Sequence, residues 1–401
     1  MAEFRVGVIG LGGRGRGHIR HTLAGRDDVI VTAVCDVYED RCLEMVDFCR
    51  EKYGIEIAHT ADYRELIERD DVDVVCIFSA WENHIPAAAY AMRHGKQAAA
   101  EVGGAYSLDD CWELIRAYEE TGIHCMFLEN CCYNREEMMA LNMVRQGLFG
   151  RVAHCEGGYQ HDLRHEISFG AENRHYRLRN YQNRCCENYP THELGPIAKV
   201  LDINRGNRML SLSSMASGAF GLNDYAKKNS DVNPEFKTYR FKQGDIVKTN
   251  IICAGGELIT LTLDTTLPRD YTRNFTVRGT NGYICGGTNK VLIDDGKDVS
   301  APISDYYEKW EHPVWRHFLD EGVRGGHGGM DWLVFDAYFT SLRDGVVPPI
   351  DTFDMAAWMA ITPLSEISIA NNGAPVDIPD FTRGMWTHRT DKNTGFYSLD
   401  K

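Results

Sequence analysis

No stretch of this 401-residue chain approaches the ~18 uninterrupted apolar residues of a membrane span, so no membrane partner is expected. Positive charge is scarce. Lys and Arg number 43 against 58 Asp and Glu, for a formal net charge of -15. That balance excludes an ordinary nucleic-acid binder and suits an acidic, soluble protein. There is no Cys-x-x-Cys, although thirteen cysteines are present, with vicinal pairs at Cys131-Cys132 and Cys185-Cys186. Without paired ligand spacing, no metal is expected. Cys35, Cys76 and Cys253 fall inside apolar runs, where a thiol behaves as a small hydrophobe, and the whole set suits a reducing cytosol. The opening MAEFRVGVIG enters a strand almost at once, leaving no room for a cleavable leader, so a cytoplasmic location is expected. Repeats, low-complexity segments and flexible linkers are absent too. The length allows two domains with full cores.

The first 130 residues alternate strand and helix. Apolar runs at 4–10, 29–36, 72–80, 97–102 and 123–130 are separated by helical patterns, the longest at 39–53 and 108–122. β-branched runs joined in this way imply parallel strands and right-handed crossovers. After a helix around 136–146, longer strands take over at 151–162, 208–217, 245–255 and 257–266. CAGG and RGTNG read as hairpin turns, which implies an antiparallel sheet. Two helices, near 330–343 and 355–370, follow, with Gly373 as a stop. The expected architecture is an N-terminal Rossmann doubly wound parallel sheet (1–130) and a C-terminal α+β domain with a large open, mainly antiparallel sheet (131–401).

Between the first strand and its helix stands Gly10-Leu11-Gly12-Gly13-Arg14-Gly15, with Asp36 ending the second strand 21 residues on. Gly10 permits the tight turn, Gly12 lets a pyrophosphate approach the backbone, and Gly15 permits close helix–strand packing. The helix N-terminus offers free N–H groups to the phosphates. Asp36 would accept ribose hydroxyls and repel a 2′-phosphate, which favours NAD over NADP. The other strand ends, where a doubly wound sheet holds its ligand, are Ala80 to His84, Glu101-Val102 and Glu129-Asn130.

With those elements in place the chain resembles the Gfo/Idh/MocA oxidoreductases. That superfamily carries Glu-Lys-Pro after the fifth strand, and its lysine assists hydride chemistry. Here the residues are Glu101-Val102-Gly103, which argues against an ordinary sugar dehydrogenase. The segments CWELIRAYEETG, LENCCYNREEMMALNMVRQGLFGRV, GGYQHDLR, YPTHELGP, DINRGNR, GGHGGMD and ITPLSEISIANNGAPVDIPDFTRGMW resemble glycoside hydrolase family 109, over nearly the whole chain. Members of that family are NAD-dependent α-N-acetylgalactosaminidases. Carried onto matching positions, the resemblance implies cofactor contacts from Gly13, Arg14, Asp36, Trp81, Glu82, Asn83, His84, Glu101, Val102 and Asn130. It implies sugar contacts from Tyr159, Arg177, Tyr189, Pro190, Thr191, His192 and Tyr271. The segment 162–176 is shorter than in the family, so fine specificity is open there. A homo-oligomer is expected, since sheet faces pair in this fold.

Direct glycosidases place two carboxylates across the scissile bond, and no such pair stands out here. A redox route needs other groups. NAD would take hydride from sugar C3 while a base takes the hydroxyl proton; the C2 proton, now acidic, leaves, and the C1 substituent follows. Water addition, reprotonation and hydride return complete a net hydrolysis. His192 can take and return protons near neutral pH, and Tyr189 can assist it. The plain alternative makes His192 a structural histidine capping a helix from about Pro196. His327 is a weaker candidate, and Arg177 suits either an acetamido carbonyl or a surface salt bridge. Two other readings stand beside the glycosidase: a sugar dehydrogenase with net oxidation, and a cofactor-bound structural or sensory protein.

Overall fold

The computed structural model describes residues 4–294, 296 and 299–400. They form two compact units. The first takes residues up to 134 together with 317–356 and 390–401, and the second takes 135–316 with 357–389. The units therefore interleave in sequence, where the reading above drew one division after residue 130.

In the first unit, the strands Phe4–Ile9, Val29–Cys35, Ala58–Thr60, Val74–Ile77, Gln97–Ala100 and Cys125–Phe127 are all parallel. Their order is third, second, first, fourth, fifth, sixth, the doubly wound arrangement. Val74–Ile77 is buried throughout, as a strand covered on both faces must be. The strand Ala58–Thr60 has no apolar run to announce it. Helix Leu108–Thr121 starts at a reciprocal capping box between Ser107 and Asp110 and stops at Gly122, whose left-handed φ of 69° ends the turn. Trp81–His84 does not form a strand-end loop as expected. It is the first turn of helix Trp81–Arg93, with Trp81 and His84 buried. Helix Met330–Asp344 completes the core: Phe335 lies 5.0 Å from the His18 ring and Phe339 lies 5.2 Å from Phe4. That apolar face explains why a segment so late in sequence belongs to the first unit.

The second unit is built on a nine-stranded sheet. Its strands, in spatial order, are Ala301–Pro302, Lys290–Ile293, Gly282–Cys285, Thr276–Gly279, Val152–Gln160, Leu258–Asp264, Ile246–Cys253, Met209–Ala216 and Val376–Asp377. Every pairing is antiparallel except that of Val152–Gln160 with Leu258–Asp264. Both expected hairpins form, one turning at Gly256 with φ 93° and the other through Thr280-Asn281. Alternate residues of Ile246–Cys253 are buried, so one face is packed and the other open. Helix Ile361–Ala370 lies against Met209–Ala216, where Ser368 Oγ accepts the Ser214 N–H at 2.8 Å. Helix Thr191–Val200 crosses the middle of the packed face. Gly157 admits it, since a Cβ there would lie 2.6 Å from Glu193 Cβ. This helix starts at Thr191, earlier than the expected start near Pro196.

Candidate active site

The glycine turn of the first unit has the backbone its sequence demands. Gly10 has φ 90°, and a Cβ on it would lie 2.4 Å from the Ser79 backbone nitrogen. A Cβ on Gly15 would lie 1.9 Å from the Gly10 carbonyl oxygen, so helix and turn touch here. Gly12 and Gly13 differ: a side chain at either would meet nothing within 4 Å. Steric contact explains Gly10 and Gly15, while Gly12 and Gly13 leave the start of helix Gly13–His21 open to a ligand's approach. Asp36 holds this turn from the side, accepting the Leu11 N–H at 2.6 Å and the Tyr38 N–H at 2.9 Å. A carboxylate has about four acceptor sites, so ribose hydroxyls remain within its capacity. The residues present fit a dinucleotide.

Around the turn lies a charged cluster. Arg14 Nε donates to Glu101 Oε2 at 2.9 Å, and its Nη1 donates to Asp331 Oδ2 at 3.1 Å. His18 Nε2 lies 3.4 Å from the same Glu101 oxygen. Burial works against charge on Glu101, but Arg14 and His18 outweigh it and hold the carboxyl well below its usual range. Asp331 is likewise held low against burial, by His327 and Arg14. Val102 donates its N–H to Glu101 Oε1, and Asn130 opens a buried turn at the end of the sixth strand. His84 Nε2 donates to the Ser79 carbonyl oxygen at 2.9 Å, and burial lowers the pKa of the ring. Asn83 is exposed and Glu82 half-buried. Sequence reasoning missed Asp331, whose signal was its place in GGHGGMD.

The second unit brings together Tyr159, Tyr189, His192 and Arg177. Tyr159 stands at the end of Val152–Gln160, and its ring lies 4.5 Å from Tyr189 and 5.5 Å from His192. Tyr189 and His192 meet edge to face at 4.8 Å. The Arg177 guanidinium lies over Tyr189 at 5.3 Å and Tyr159 at 6.0 Å, and Nη1 donates to Glu166 at 2.6 Å. That guanidinium is buried, and its ion-pair partner Glu166 is 40% exposed. His161, which the sequence did not single out, bonds Tyr159 OH at 3.2 Å through Nδ1. Burial and then Arg177 lower its pKa. Tyr271 joins through the edge-to-face contact of His161 at 5.2 Å and is 51% exposed. Pro190 occupies the N-cap position of helix Thr191–Val200, and His192 lies in its first turn. Thr191 is fully buried, with no hydroxyl partner among the described residues.

Below this group Arg273 ties two buried acids, with Nε 2.8 Å from Glu193 Oε1 and Nη2 2.5 Å from Glu137 Oε1. Neighbouring Glu136 has its pKa pushed up to about 7 by burial and by Glu137. Glu187, two residues before Tyr189, is fully buried, and burial raises its carboxyl to about 8.

A doubly wound sheet with an open glycine turn defines a dinucleotide-binding class, and residues 4–128 match the oxidoreductase family with an NAD-binding Rossmann fold. A solved structure with the same fold is the WlbA dehydrogenase from Bordetella pertussis, in complex with NADH and UDP-GlcNAcA. It is 14% identical, with a TM-score of 0.66 over 94% of this chain and 99% of that one. Residues 133–388 match the C-terminal domain of glycosyl hydrolase 109, and the chain belongs to that family. A glycosyl hydrolase family 109 protein of Solibacter usitatus is 39% identical, covering 96% of this chain and 90% of its own. An alpha-N-acetylgalactosaminidase of Tannerella forsythia is 37% identical, covering 96% and 87%. The protein is thus an enzyme of the glycosidase class, with a carbohydrate substrate. Among the described residues, no helix is long and apolar enough to cross a membrane.

Proposed function

We propose that this enzyme releases terminal α-linked N-acetylgalactosamine, or a close relative, by an NAD-dependent route that oxidises and re-reduces the sugar around an elimination. One observation carries the reading. The second unit gathers two phenols, two imidazoles and a guanidinium, and two of its carboxylates are ion-paired, Glu166 with Arg177 and Glu193 with Arg273. Direct displacement calls for two carboxylates across the glycosidic bond. Phenols and imidazoles suit proton transfers at carbon and hydroxyl instead.

Gly12, Gly13 and the helix N-terminus would hold the pyrophosphate of NAD, and Asp36 the ribose. When bound, NAD supplies a reversible hydride acceptor for sugar C3. His192, set edge-on against Tyr159 and Tyr189, would remove and return protons of the sugar. The hydroxyls of Tyr159 and Tyr189 would steady the developing enolate, and Arg177 would orient the acetamido carbonyl or ring hydroxyls. His161 would keep the Tyr159 hydroxyl oriented through its 3.2 Å bond.

Hydrolysis in D2O tests this route. Abstraction and return of the C2 proton should place deuterium at C2 of the released sugar, visible by proton NMR. Efficient cleavage with the C2 proton intact would refute the route and leave the dinucleotide site without a role.

A further inference from the structure

The GGHGGMD segment is unusually rich in glycine, and its geometry shows what the glycines make room for. Gly325, Gly328 and Gly329 have φ of 82°, 66° and 104°, and a Cβ on Gly326 would lie 2.6 Å from Asp331 Oδ2. Of these glycines Gly326 packs on the Asp331 carboxylate, whereas a Cβ on Gly325 would meet Trp332 and one on Gly329 would meet Phe318. Asp331 sits in the first turn of helix Met330–Asp344, where an acid ordinarily serves its own helix end. Here the carboxylate is spent elsewhere. It accepts Arg14 Nη1 at 3.1 Å, Arg14 Nη2 at 3.3 Å and Asn130 Nδ2 at 2.7 Å, with His327 Nδ1 at 2.8 Å on its outer side. Its side chain is 6% exposed.

These partners stand on separate pieces of the dinucleotide face. Arg14 follows the first strand and Asn130 follows the sixth. Arg14 in turn grips Glu101, at the end of the fifth, through Nε. A single carboxylate therefore links the ends of the first and sixth strands directly, and that of the fifth through Arg14. Arg14 counts one positive charge against two buried negative ones, so the cluster does not attract a pyrophosphate by net charge. Its effect is to fix position.

We propose that Asp331 is a positioning residue of the cofactor site, a clasp that sets Arg14, Glu101 and Asn130 in their binding geometry before the dinucleotide arrives. The proposal rests on the dinucleotide reading given above. Preorganisation of this kind acts on affinity, because a site that must be ordered on binding loses that ordering cost from its binding free energy.

The test uses the full chain stripped of nucleotide and titrated with NAD. Asp331→Asn keeps the shape but removes the charge, and the NAD dissociation constant should rise on the order of tenfold, the scale seen when the outer partner of a binding group is lost. The loss should not add to that of Arg14→Gln: if Asp331 acts through Arg14, the double variant binds NAD about as the Arg14→Gln single does. The apparent KM for glycoside, measured at saturating NAD, should stay unchanged. A role in folding alone would instead lower the melting temperature and leave NAD affinity of the folded protein intact. Should Asp331→Asn fail to fold, Gly326→Ala displaces the same carboxylate without neutralising it, and it should weaken NAD in the same way. NAD affinity within twofold of the unaltered protein in the folded variants overturns the proposal. An unaltered protein that binds no NAD overturns the dinucleotide reading itself, and the clasp with it.

Discussion

Replacing Arg273 with methionine should unsettle the second unit in a way that depends on pH. The side chain is 14% exposed, while Glu193 and Glu137 beside it are 0% and 2% exposed. Methionine keeps most of the bulk and apolar stem but leaves both acids without their arginine. Breaking a buried ion pair from one side costs about 3–5 kcal/mol. The second acid adds less than a full share, because a carboxyl lacking its partner takes up a proton rather than remain charged in an apolar setting. Glu136 in the same group already does so, with its pKa pushed up to about 7. The expected deficit near pH 8 is therefore about 3–5 kcal/mol, which for a unit of this size is roughly 6–20 °C in melting temperature. The sign with pH follows from linkage. In the variant the folded carboxyls have pKa values above their unfolded value of about 4.3, so the penalty is absent below that value and grows as pH rises through the window above it. Thermal melts of both proteins near pH 5 and pH 8 are the assay. A deficit below about 2 °C at pH 8, or one larger at pH 5 than at pH 8, would refute the reasoning.

Glycine substitutions should separate turn from ligand: Gly10→Ala, with its overlap on Ser79, should melt well below the unaltered protein, whereas Gly12→Ala should melt normally yet lose most NAD binding in titration. Glu187→Gln should flatten the pH dependence of stability, since a carboxyl raised to about 8 makes the folded protein lose stability as pH climbs from the unfolded value to about 8, and glutamine has no such charge to acquire; parallel pH-dependent curves for the two proteins would count against this. His192→Ala should lower turnover by ~10²–10⁴ while fold and NAD content survive, as circular dichroism and nucleotide extraction can check. Asp36→Ala should weaken NAD and narrow its margin over NADP; if the unaltered protein already prefers NADP, the role given to Asp36 is wrong.

The parallel half of the fold was legible because its signals are local. Buried strands leave continuous apolar runs, and the glycine turn leaves residues that no other side chain could replace, as Gly10 and Gly15 demonstrate sterically. The hairpins at Gly256 and Thr280-Asn281 were legible for the same reason. What the sequence hid depends on distant partners. Nothing around Val152–Gln160 tells that its parallel neighbour is Leu258–Asp264, since the register is set by packing across a hundred residues. Asp331 was passed over because its partner Arg14 lies 317 positions away, and the pattern GGHGGMD drew attention to its histidine instead. The helix starting at Thr191 was masked by proline and polar residues that turn inward. Tyr159, Arg177, Tyr189 and His192 were named through family motifs; their closeness to His161 was not visible in spacing alone.

The interleaving of the two units fixes an order of events during synthesis. Strands Phe4–Ile9 and Val74–Ile77 emerge early, but Phe335 and Phe339, which cover Phe4, His18 and Phe78, come only after residues 135–316. At about 5–20 residues per second the ribosome needs roughly 10–40 s to bridge that gap. Throughout it the nascent parallel sheet carries an uncovered apolar face, which is a target for chaperones and a hazard for aggregation. A gene fragment ended at residue 134 would make this exposed state permanent. Anyone seeking the dinucleotide half by itself should instead join residues 4–134, 317–356 and 390–400 through designed linkers.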